Sequence, residues 1–141
     1  MRIAPVLLAG AFALASCGKS EPPPADSAAS EPTPAPAIAP TAAMGEQIFK
    51  RCVACHTIDK GGPNGIGPNL HGIVGAAVAS KPDFSYSSAM QAKGGVWDAA
   101  ALDIYLEAPM KSVPGTRMAF AGLIDAADRK ALILYLEAQS K

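Results

Sequence analysis

The run Cys52-Val53-Ala54-Cys55-His56 constrains this chain more than any other feature. Two cysteines separated by two residues, with a histidine directly after, admit three chemistries. A structural zinc site needs about four protein ligands, usually from two such corners. The chain offers one corner, one further histidine (His71) and no second cysteine pair. A thiol redox pair belongs at a helix N-terminus after a strand. Here the pair follows a helical pattern and opens a glycine-rich stretch. Covalent haem attachment uses all three residues: each thiol takes one vinyl group and the histidine stands beside the iron. The motif by itself leaves the three open, and the remaining chain must supply a pocket and a second ligand.

The first 43 residues do not read as part of a core. Arg2 precedes an apolar run from Ile3 to Ala15, too short for a span of about 20 residues and consistent with an export signal. It ends in Leu14-Ala15-Ser16-Cys17, which resembles the lipobox of bacterial lipoproteins. That resemblance implies a signal peptide over residues 1–16 and a lipidated Cys17 as mature N-terminus. Several acyl chains on one residue make a stable membrane anchor, where one chain binds only reversibly. Residues 18–43 hold seven prolines and little that is large and apolar. They cannot offset the entropy of ordering. They read as a tether with a reach of about 80 Å fully extended and about 30 Å as a coil.

The folded part is expected over residues 44–141. It carries ten Lys and Arg against nine Asp and Glu. With no basic run or aromatic platform, nothing suggests a nucleic-acid partner. Helical patterns occupy residues 44–56, Ser87–Ala92, a segment capped by Asp98 and ended by Pro109, and residues 125–141. Between them lie loops, including 57–75 with six glycines and two prolines. No segment alternates as a strand. The class is all-α with large loops, and loops of this length in a small domain call for a large apolar ligand at the centre. Among possible sixth ligands, Met118 sits in the loop Pro114-Gly115-Thr116-Arg117-Met118-Ala119-Phe120. Met44 reads as a boundary, Met90 and Met110 as helix packing, and His71 as a surface or hydrogen-bonding side chain.

Taken together, Gly45–Thr57, Gly67–Gly75, Phe84–Trp97, Tyr105–Leu123 and Asp128–Gln139 resemble the class I cytochromes c, in their mitochondrial-like and cytochrome c2-like branch. The resemblance implies the class I fold around one covalently attached haem c, bound through Cys52 and Cys55. It implies His56 and Met118 as axial ligands of the iron, and the Pro68 carbonyl as acceptor for the free N–H of His56. Tyr86 and Trp97 are implied at a haem propionate, Thr116 and Tyr105 beside Met118, and Phe120 at the haem edge. From the residues alone, Tyr105, Trp97, Phe49 and Tyr135 read equally as ordinary core. Met90 stands where that branch usually has asparagine. Arg51, Lys60, Lys81, Lys93, Lys111 and Arg117 could form a docking patch or simply a solvated surface.

The function implied is a monomeric, membrane-tethered electron carrier in the periplasm, working between a quinol–cytochrome c reductase and a terminal oxidase, and not an enzyme. The alternatives are a haem subunit docked in an oxidase or dehydrogenase complex, and a peroxidase-like or sensor haem protein with an open sixth position.

Overall fold

The computed structural model of the chain describes residues 38–141. The signal segment, Cys17 and most of the tether lie outside them. Among the described residues there are five helices and no strand; no helix is long and apolar enough to cross a membrane.

Helix α1 spans Ala42–Phe49, its first turn closed by the Thr41 side chain accepting from the Met44 N–H. It therefore begins two residues inside the stretch read as tether. It also stops seven residues earlier than the pattern over 44–56 suggests. The N–H groups of Lys50, Arg51 and Cys52 reach back only three residues, to Gln47, Ile48 and Phe49. This tightening ends the helix. The motif itself folds as one separate turn, with the His56 N–H on the Cys52 carbonyl at 2.9 Å.

Helix α2 spans Ser88–Lys93, capped by Ser87 and closed by Gly94 at φ 60°. Helix α3 spans Ala99–Glu107, with Asp98 accepting from the Ala101 N–H at 2.7 Å. Pro109, expected only to end that helix, in fact opens a further short one, α4, over Pro109–Ser112. Proline lacks the N–H that the first helical position would leave unpaired, so it starts a helix as readily as it stops one. Helix α5 spans Ala126–Ala138, capped by Asp125 on two N–H groups.

The terminal helices cross where α1 carries Gly45. A Cβ there would lie 2.0 Å from the Ala131 carbonyl oxygen, so only glycine lets the two backbones meet. Phe49 and Tyr135 pack beside the crossing at 5.3 Å between ring centroids. Leu132 and Ile133 of α5 are almost wholly buried, each contributing about 1.5–3 kcal/mol by leaving water. Arg129, also buried, joins α5 to α3 through Asp103 at 2.8 Å. It donates as well to the Leu123 and Ile124 carbonyls, where the Met118 loop ends. The long loops are tied by single hydrogen bonds, such as Trp97 N–H to Ala76 O and Gly75 N–H to Trp97 O, both 2.9 Å.

Candidate functional site

The core is built around a cavity of about 570 Å³, within the range of cofactor sites. Every pocket residue named from the sequence lines it: Cys52, Cys55, His56, Pro68, Tyr86, Trp97, Tyr105, Thr116, Met118 and Phe120. So do Phe49, Leu102, Leu132 and Leu136, which makes the wall mainly apolar. Ile66, 80% exposed, also lines it, so the cavity opens to the surface there.

On the side nearest the motif, His56 donates from Nδ1 to the Pro68 carbonyl at 2.7 Å. A carbonyl carries no proton, so the tautomer is settled: Nε2 is the nitrogen left free to ligate. Burial lowers the His56 pKa, and the bond to Pro68 opposes that only in part. The neutral, ligating ring is favoured. Gly67 is buried against it; a Cβ there would lie 2.3 Å from His56 Cε1. The backbone thus clamps the imidazole so closely that a single methyl group would displace it.

Neither cysteine is in a disulfide. Burial pushes the Cys52 thiol above its ordinary range, while the Arg51 charge pulls it down less strongly. A redox-active pair needs the opposite, a thiolate stabilised near neutral pH. Among the described residues no group of three or more His, Cys, Asp or Glu side chains could hold a metal ion. Two thiols and an imidazole on the rim of one apolar cavity fit a haem attached at Cys52 and Cys55.

On the other side stands Met118. The Tyr105 hydroxyl lies 3.4 Å from its sulfur and 3.2 Å from the Thr116 hydroxyl, which in turn accepts from the Met118 N–H at 3.3 Å. Met90 is buried and lines the cavity as well, whereas Met44 and Met110 are exposed and His71 does not line it. Trp97 is buried, packed on Tyr105 at 4.9 Å, with the Lys93 ammonium 4.6 Å from its ring centroid. The Tyr86 hydroxyl accepts from the Lys81 N–H at 3.3 Å. Arg51 lies over the Phe120 ring at 5.5 Å.

Of the six cations considered as a docking patch, four make contacts within the molecule. Besides Arg51 and Lys93, Lys81 donates to the His71 carbonyl and Arg117 to the Ser85 carbonyl.

Sequence reasoning passed over Asn64 and Asn69. Asn69 is 7% exposed and fully bonded: its side chain donates to Thr57 Oγ1 (2.7 Å) and the Asp59 carbonyl (3.0 Å), and accepts from the His71 N–H (2.9 Å). Its own N–H donates to Asn64 Oδ1. The available signal was asparagine within a Gly/Pro-rich loop, where such side chains commonly replace missing backbone partners.

The comparisons agree with the geometry. The family model described as cytochrome c matches residues 42–140. A "Cytochrome c2" of Rhodomicrobium vannielii is 45% identical over 67% of this chain and 76% of its own. A "Cytochrome c-type cyt cy" of Rhodobacter capsulatus is 50% identical over 67% of this chain, which spans only 47% of that relative. The solved structure of "cytochrome cH from Methylobacterium extorquens" superposes with a TM-score of 0.65 at 40% identity, over 70% of this chain and 98% of that one. This chain therefore belongs to the cytochrome c family, with the class I fold, and is a monohaem electron carrier whose Cys52-to-His56 run fits the family's attachment motif for one covalent haem c.

Proposed function

We propose that the protein is a membrane-tethered, exported c-type cytochrome that carries single electrons between a quinol–cytochrome c reductase and a terminal oxidase. The observation that carries the reading of the site is that His56 has Nδ1 committed to Pro68, leaving Nε2 for iron in a cavity that also holds the Met118 sulfur. Haem held there supplies a reversible one-electron iron couple, at a potential raised by methionine ligation and apolar surroundings.

The chain's own residues do the rest. Cys52 and Cys55 would hold the group covalently, and His56 and Met118 would be its two protein ligands to iron, so that it would carry electrons rather than bind a substrate. Tyr105 and Thr116 orient the Met118 sulfur. Tyr86 and Trp97, which line the cavity, would offer an O–H and an N–H to a buried propionate, whose charge is otherwise costly to desolvate. Phe120 and Ile66 border the opening through which a partner approaches. Arg51, Lys60, Lys81, Lys93, Lys111 and Arg117 would steer an acidic one, since a contact with a neutral carbonyl or an aromatic ring leaves a cation its charge.

Tethering rests on the sequence of residues 1–43. An anchor at Cys17 with a proline-rich leash confines the domain near membrane complexes and raises its effective concentration there.

Two experiments test the reading. The ferric protein should show the absorption band of sulfur–iron ligation, lost in Met118→Ala and kept in Met90→Ala; its absence from the native protein would sink methionine ligation and favour a haem enzyme or sensor. Cys17→Ala should move the haem domain from the membrane to the soluble fraction, and a variant that stays membrane-bound rules out the lipid anchor.

A further inference from the structure

We propose that Asn64 is a positioning residue that tunes the donor strength of His56 through one peptide unit. The inference rests on the reading of His56 as an iron ligand. The Pro68 carbonyl that accepts from His56 Nδ1 at 2.7 Å and the Asn69 N–H that donates to Asn64 Oδ1 at 2.9 Å are the two ends of the same planar amide. A hydrogen bond at the N–H end of an amide polarises it and strengthens the acceptor at the carbonyl end. Asn64 and His56 are therefore joined in series: Asn64 Oδ1, the Pro68–Asn69 peptide, then imidazole Nδ1. A stronger pull on the Nδ1 proton makes Nε2 a better donor to a metal.

The Asn64 amide is not free to turn. Its Nδ2 donates to the Pro82 carbonyl at 3.0 Å, which can only accept. Oδ1 therefore faces the Asn69 N–H. The two asparagines divide the work. The Asn69 side chain pins the loop to Thr57, Asp59 and His71. The Asn64 side chain polarises the peptide and ties it to the segment around Pro82. Neither touches the cavity-facing edge of the imidazole.

The test uses the holoprotein and four readouts: reduction potential, exchange at His56 Nδ1, exchange at the Leu70 N–H, and melting temperature. Asn64→Ala should raise the reduction potential and speed exchange of the His56 Nδ1 proton about fivefold, the scale set by one ordinary hydrogen bond. Asn64→Asp keeps an acceptor for the Asn69 N–H and should retain slow exchange, although it loses the donation to Pro82. The Leu70 N–H, bonded to the Thr57 carbonyl at 2.8 Å, reports on the loop itself and should keep its native exchange rate in both variants. A merely structural Asn64 would lower the melting temperature and leave potential and Nδ1 exchange unchanged; that result overturns the proposal. So does equal acceleration at Nδ1 and Leu70, which marks general loosening. If His56 proves not to ligate iron, the potential loses its meaning here, but Nδ1 exchange still decides whether the relay exists.

Discussion

The two sides of the cavity are held by different means. On the His56 side there is hardly any regular structure between Phe49 and Ser88, yet the imidazole is closely held. Its ring is clamped by Gly67, its Nδ1 is bonded to Pro68, and the loop beneath is pinned by Asn64, Asn69 and Thr57. On the Met118 side the thioether hangs on a loop between two helices. One stem is tied by Arg129 to the Leu123 and Ile124 carbonyls, and among the described residues the thioether meets one hydroxyl donor, Tyr105. The difference teaches that irregular backbone is not loose backbone. Order follows the number of satisfied polar groups, and the side with more of them should release its ligand last.

The strongest way to break this contrast is Gly67→Ala. The new methyl group would overlap the imidazole, since its position lies 2.3 Å from His56 Cε1 and 2.6 Å from Nδ1. We expect a loss of more than about 3 kcal/mol, beyond the usual cost of overpacking, with poor haem retention, measured by denaturant unfolding and by haem content. Native stability in that variant would show that the clamp is softer than its contacts imply.

Met118→Ala comes next. It should cost about 2 kcal/mol, at the low end for methionine because the side chain is only half-buried. The ferric protein should then bind added imidazole, read by optical titration, while the His56 side stays intact. In the unaltered protein, rising denaturant should abolish the sulfur–iron band before Trp97 fluorescence reports unfolding. Simultaneous loss would erase the proposed difference between the sides.

Tyr105→Phe sharpens the comparison with less disruption. It removes the hydroxyl from both the Met118 sulfur and Thr116 but keeps the ring against Trp97. The expected loss is about 1 kcal/mol, the net worth of an ordinary hydrogen bond, together with weaker sulfur–iron absorption at lower denaturant than in the native protein.

The smallest effect concerns the helix crossing from which both sides depend. Tyr135 is pushed above the ordinary tyrosine range, first by burial and then by the charges of Glu46 and Asp59. Above about pH 10 the unfolded chain releases this proton while the folded one keeps it. The contribution to stability is therefore complete below that pH and is lost as pH rises through the folded value. Tyr135→Phe should blunt that alkaline decline in unfolding free energy; an unchanged slope would place its origin elsewhere.

Much of the site is local in sequence and was legible there. Cys52, Cys55 and His56 fall within five consecutive positions, and a proline-glycine turn marks the loop of Met118. Helix starts at Ser87, Asp98 and Asp125 follow from side chains that cap nearby N–H groups. Some boundaries were not legible. The apolar pattern of α1 continues past Phe49, but the backbone tightens there and the motif folds as its own turn. Pro109 reads as a stop, yet its position after Ala108 makes it a start.

By itself the sequence determined the chemistry: which residues can hold a haem, that the class is helical, and that long loops need a central ligand. Only the tertiary structure decided how those residues are aimed. That Gly45 must admit the Ala131 backbone, that Gly67 must admit the His56 ring, and that Asn64 reaches the peptide of Pro68 and Asn69 depend on approaches between segments brought together by folding. A residue's type limits what it can bond, but its partner is set by the path of a chain whose contacts lie far apart in sequence.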